Sequence, residues 1–145
     1  MSGETRVLPV AAGEALATSP RPAATLAAHF GEAVWLLTQS PQHRDLTLAD
    51  LEWLLMPPML LGQHKLWRNV ESGQPVGLAL WAMASAEVGA RIAGSEGLPR
   101  LTLAEWRSGQ EFSLVTMVAP FGGRGEFLAD IPSSTSPEAE QEVAP

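Results

Sequence analysis

Just past an apolar, helically spaced segment the chain reads Ser40-Pro41-Gln42-His43-Arg44, a histidine flanked by polar groups rather than by an apolar stripe. An imidazole with its ordinary pKa near 6.5 exchanges protons at neutral pH, so this ring can act as a general acid or base, or can be a solvated loop residue. The other histidines read as structural: His29 lies among helical Ala and Phe, and His64 opens a strand-like run. A second feature is the passage V-T-M-V-A-P-F-G-G-R-G-E-F-L, a strand running through a glycine-rich loop into a helix. Backbone N–H groups of Gly122, Gly123 and Gly125, with Arg124 and the positive end of the following helix, suit a phosphate or an oxyanion; an ordinary loop has the same composition. The passage is neither a P-loop, which requires G-K-[ST], nor the G-x-G-x-x-G dinucleotide fingerprint. The third feature is five tryptophans, Trp35, Trp53, Trp67, Trp81 and Trp106, with no tyrosine. Such rings fill a core or line a groove for an acyl chain.

The elements that position these groups follow from periodicity. Leu26, Phe30, Val34 and Leu37 recur at helical spacing and Pro41 stops them, which predicts a helix over about 24–38. Thr47 with Asp50 three residues on resembles a capping box, and a short helix from Leu48 to about Leu55 is expected to end at Pro57-Pro58. Gln63 to Asn69 and Pro75 to Met83 flank the turn Glu71-Ser72-Gly73-Gln74, a β-hairpin. The small residues Gly77 and Ala79 on one of its faces call for a helix or an elongated ligand lying close. Ser85 to Ala93 reads as a helix closed by Gly94, and Thr102 to Trp106 as a further short one. Glu111 to Ala119 is the best strand, expected to be central, with Phe112, Leu114, Thr116 and Val118 on one face and Ser113, Val115 and Met117 on the other. Glu126-Phe127-Leu128 opens a last helix. The fold class is α+β, mainly antiparallel, with packed helices.

Length and composition bound the rest. A chain of 145 residues with 46% hydrophobic letters supports one domain with a real core. Prolines and acids collect at the ends, so residues 1–24 read as a flexible N-terminal tail, 25–128 as the domain, and 129–145 as a disordered acidic tail. Nine Lys and Arg against sixteen Asp and Glu give a net charge of −7, which disfavours nucleic acid and anionic lipid. Without cysteine there is no disulfide, thiolate nucleophile or zinc–thiolate cluster, and the histidine spacing matches no helical metal site, so no metal is expected. The longest apolar runs are too short for a membrane span, and Pro9 and Glu14 interrupt any signal-peptide core. The expected location is cytoplasmic.

Taken together, A-V-W-L-L-T-Q-S-P-Q-H-R, the M-P-P segment with Gln63-His64, Q-P-V-G-L-A-L-W-A, L-A-E-W-R-S-G and V-A-P-F-G resemble the RTX toxin-activating lysine acyltransferases over about residues 30–128. The resemblance implies a GNAT-like fold, no bound cofactor, and transfer of a fatty acyl group to internal lysines of an RTX protoxin. The implied donor is acyl carrier protein, as a phosphopantetheine thioester, and a homodimer is possible in this family. Carried over by motif, the catalytic histidine is His43 and the motif serine is Ser40. Gly122, Gly123 and Arg124 are candidates for the oxyanion or the carrier's phosphate on spacing alone. A lysine with pKa near 10.4 arrives protonated, so the reaction needs a proton acceptor or an acyl-histidine intermediate. The family carries an aspartate two positions before the V-A of V-A-P-F-G, where this chain has Thr116, which hydrogen-bonds but does not ionise. The family also continues with further strand and helix where this chain enters its Pro/Ser/Glu tail. The rival reading is a weakened or inactive relative that binds toxin or acyl carrier protein.

Overall fold

The computed structural model describes residues 22–131. The expected tails over 1–24 and 129–145 lie outside these residues except at their inner ends. Helix α1 (Pro22–Gln39) buries Ala33, Leu36 and Leu37, with Phe30 and Val34 at the margin, whereas Leu26 stays exposed. It stops because Pro41 lacks an N–H and disfavours helical backbone at Ser40. A reciprocal box opens the next helix: the Thr47 N–H donates to Asp50 Oδ2 at 2.9 Å, and the Asp50 N–H donates to Thr47 Oγ1 at 3.2 Å.

Helix α2 (Leu51–Leu54) is not ended by Pro57-Pro58. Those prolines lie in the first turn of a further helix, α3 (Met56–Leu61), where a missing N–H removes no intrahelical bond. Gly62, at φ 74°, closes α3, and the Gln63 N–H donates back to the Pro58 carbonyl at 2.8 Å.

The sheet is antiparallel in the order β1 (His64–Arg68), β2 (Pro75–Ala84), β3 (Glu111–Val118). The central strand is therefore β2, and β3, expected at the centre, is an edge. The reason is burial: Leu78, Ala79, Leu80, Ala82 and Ala84 of β2 are all fully covered, while most of β3 is half-buried. Leu78 and Leu80 face α1, α2 and α3, and Ala82 and Ala84 face α4 (Ala86–Ala93), whose N-cap Ser85 Oγ accepts from the Val88 N–H. On the opposite face α5 (Arg124–Ala129) brings Phe127 over Gly77 and stacks it on Trp67 at 4.6 Å. A Cβ on Gly77 would sit 2.5 Å from that ring, so the small residues of β2 accommodate a helix. Just beyond α5, Asp130 accepts from Trp67 Nε1 and pairs with Lys65, and Ile131 is buried.

Strand β3 does not alternate as expected. Leu80 pairs with Thr116 but Trp81 pairs with Leu114, so Val115 is the extra residue of a β-bulge. Phe112 and Leu114 stay on the α5 face with Met117, whereas Val115, Thr116 and Val118 lie on the α1 face. The bulge thus separates Thr116 from Phe112 and Leu114, with which simple alternation groups it, and leaves it on one face with Val118.

Residues 102–106 form a capped turn rather than a helix: the Thr102 N–H donates to Glu105 Oε1, and the Glu105 N–H to Thr102 Oγ1. Arg91 pairs with Glu105 and holds its carboxyl down at about 2. The W-R-S-G run closes on the end of β2. The Met83 N–H donates to the Trp106 carbonyl, the Gly109 N–H to the Met83 carbonyl, and the Ser85 N–H to Ser108 Oγ. A Cβ on Gly109 would lie 2.5 Å from the Ala84 carbonyl oxygen, and backbone there has no room to yield. Gly109→Ala is expected to lower the unfolding free energy by about 1–3 kcal/mol in denaturant titration. Gly31→Ala, in open space on α1, is expected to raise it by about 0.5–1 kcal/mol.

Candidate functional site

Once α1 has stopped, the chain wraps into a tight turn: the N–H groups of His43 and Arg44 both donate to the Ser40 carbonyl, at 3.0 and 2.9 Å. This turn folds His43 back over Ser40, so that His43 Nδ1 lies 2.7 Å from Ser40 Oγ. From the other side Thr116 Oγ1 lies 2.9 Å from His43 Nε2, joining residues 73 apart in sequence. Local backbone geometry therefore sets one contact, and the bulge of β3 sets the other.

His43 is only 4% exposed, and among the described residues no carboxylate is bonded to its ring, because hydroxyls occupy both nitrogens. Asp45 is exposed, and Glu111 pairs with Ala84 at the far end of β3, so neither bonds to the ring. Desolvation disfavours the imidazolium and pushes the His43 pKa below its ordinary value. His43 is thus a neutral ring at neutral pH, able to accept one proton and hand it on. With Nδ1–H donating to Ser40 Oγ, Nε2 is the acceptor and Thr116 Oγ1–H the donor.

A cleft of about 1000 Å³ opens beside this array. Ser40, His43, Val115 and Thr116 line it, with Glu96 to Leu98 from the connection after α4, and Ala119, Pro120 and Arg124 from the far side. Arg124 also donates from Nη1 to the Met117 carbonyl at 3.3 Å, which holds its head near the strand. A smaller apolar crevice of about 170 Å³, walled by Val34, Leu37, Leu46 and Leu51, reaches His43 from behind.

Of the residues singled out from sequence, Ser40, His43, Thr116 and Arg124 come together. Gly122 and Gly123 do not line the cleft. Both have left-handed backbone, φ 95° and 85°, and the Gly122 N–H is taken by the Ala119 carbonyl, so they shape the turn that delivers Arg124. No tryptophan lines the cleft either. Trp106 is fully buried, Trp67 stacks on Phe127, Trp81 meets Phe112, Trp35 meets Phe121, and Trp53 Nε1 donates to Asp50. His29 and His64 face each other edge-on at 5.9 Å, away from the cleft. Sequence reasoning missed Glu96, a charged side chain in an undistinguished loop with no motif to mark it. Among the described residues no group of three or more His, Asp or Glu is placed to hold a metal ion, and no helix is long and apolar enough to cross a membrane.

The family model for the RTX toxin acyltransferase family matches residues 23–142. The lysine-acyltransferase RtxC of Vibrio cholerae is 34% identical over 101 residues, covering 68% of this chain and 63% of that protein. An uncharacterized protein of Synechocystis is 25% identical over 74% of this chain and 72% of its own length. The leukotoxin-activating lysine-acyltransferase LtxC of Aggregatibacter actinomycetemcomitans is 32% identical over 64% of this chain and 53% of its own. The chain thus spans between about half and three quarters of the length of these relatives.

Burial against two hydroxyls predicts that the His43 imidazole titrates below about pH 6.5 in NMR. Thr116→Asp is expected to move that midpoint up, because a carboxylate beside Nε2 favours the imidazolium. A wild-type midpoint at or above the ordinary value contradicts the reading of the ring as a desolvated base.

Proposed function

Because the chain belongs to the RTX toxin acyltransferase family, we propose that it transfers a fatty acyl group from acyl carrier protein to the ε-amine of internal lysines of an RTX protoxin. The observation that carries this reading is the Ser40–His43–Thr116 array on the wall of an open cleft. Transfer to lysine requires removal of a proton from an ammonium whose ordinary pKa is about 10.4. A neutral, desolvated imidazole suits that task. Hydroxyls cap both ring nitrogens, so neither attacks a carbonyl without losing its partner, which favours proton transfer over an acyl-histidine.

Arg124, at the cleft margin, is the group assigned to the phosphate of the phosphopantetheine arm. The remaining cleft takes the thioester and the start of the acyl chain. Residues 25–128 are read as a GNAT-like acyltransferase domain acting in the cytosol, with a second copy of the chain as a possible partner. The names of the relatives, lysine-acyltransferase and leukotoxin-activating lysine-acyltransferase, support the acceptor and the toxin as substrate classes.

The test is mass spectrometry of an RTX protoxin incubated with acylated acyl carrier protein and this protein. Acyl mass on lysine is the expected outcome, and His43→Ala should reduce the rate by about 10²–10⁴-fold. Arg124→Ala is expected to raise KM for the carrier with little change in kcat. Absence of acylation with wild-type protein and a range of protoxins contradicts the proposal.

A further inference from the structure

Resting on the acyltransferase reading, we infer that Thr116 is a nucleophile and that the acyl group passes through a threonine ester on its way to lysine. The array has the connectivity of a hydroxyl–imidazole–orienting group set: Thr116 Oγ1 at 2.9 Å from Nε2, and Ser40 Oγ at 2.7 Å from Nδ1. An aspartate at position 116 would orient and polarise the ring; a threonine at hydrogen-bond distance from the same nitrogen is instead the group that the ring activates.

Three observations select Thr116 over Ser40. Ser40 is 4% exposed, whereas Thr116 is half-buried on the cleft wall. Ser40 lies three residues from His43 in the same turn, the position of an orienting group, while Thr116 comes from a separate element across the ring. The bulge at Val115 turns Thr116 from the α5 face towards the ring, the re-aiming that bulges supply beside reactive groups.

The chemistry balances without further reactants. Thr116 Oγ1 attacks the thioester carbonyl, its proton passes to His43 Nε2, the C–S bond breaks, and the thiolate leaves with that proton. The lysine ammonium gives one proton to Nε2, which releases it to solvent, and the free amine attacks the threonine ester. Its second proton moves to Nε2 and then to Thr116 Oγ1 as the C–O bond breaks, leaving an amide and free threonine. Thioester, ester and amide stand in descending order of acyl-transfer potential, so each step runs downhill.

The experiment incubates the full chain with the palmitoyl thioester of N-acetylcysteamine, without acceptor, followed by acid quench and peptide mapping. The expected result is one palmitoyl mass on the peptide holding Thr116, stable to neutral hydroxylamine as an oxygen ester is and released by alkali. Thr116→Ser should keep the adduct. Thr116→Val, nearly isosteric, should lose the adduct and fall in lysine transfer to the level of His43→Ala, while circular dichroism shows it folded. Lysine transfer at the wild-type rate in Thr116→Val, or an adduct mapping to Ser40 or His43, overturns the inference and leaves the acyltransferase reading standing. Failure of wild-type protein both to consume the thioester and to acylate a protoxin overturns both.

Discussion

The hydrogen bond between His43 and Thr116 joins the turn that ends the first helix to the bulged edge of the sheet. Everything else near the cleft takes its position from that junction. The ring stays buried because Thr116 and Ser40 satisfy its two nitrogens, and a buried imidazole without partners would carry a desolvation cost of its own. Burial in turn keeps the ring neutral, since no carboxylate among the described residues balances a charge there. Hydrogen bonding, burial and protonation state are one arrangement seen from three sides.

The sheet supports this junction by being covered unequally. Strand β2 has helices on both faces and a strand on each side, and its alternation of leucine with glycine or alanine lets α5 lie close on one face while α1 to α3 cover the other. Strand β3 gives up regularity for position: its extra residue leaves Phe112 and Leu114 with the aromatic face and sends Thr116 to the imidazole. The glycine pair after β3, in left-handed backbone, then carries the chain round so that Arg124 meets the same cleft. Charge enters the cleft from its margins, Glu96 on the connection after α4 and Arg124 at the start of α5, while the imidazole between them is uncharged.

Much of this was legible in the residues. Periodicity gave the first helix, the hairpin and the helix capped by Ser85, and the pairing of Thr47 with Asp50 announced the box that opens the second helix. The S-P-x-H-R motif located the imidazole. The misreadings have physical causes. Pro57-Pro58 stops a helix that comes before it but fits the first turn of one that contains it, and composition does not distinguish the two. Thr102 and Glu105 form the same reciprocal bonds in an isolated turn as at a helix start. An unbroken run of apolar and β-branched letters in β3 hides a bulge, because the register shift is set by the partner strand. Whether such a strand is central or at an edge depends on what covers it, and Glu96 depends on where a loop settles against distant elements.

One contact spans 73 residues, and that separation has a consequence for biosynthesis. The imidazole and its serine sit within a single turn and can be arranged soon after that stretch leaves the ribosome, N-terminal elements being made first. The threonine arrives much later, with the last strand. A growing polypeptide therefore carries two of the array's three side chains while its edge is still being made, and the ensemble becomes chemically whole only when the sheet closes.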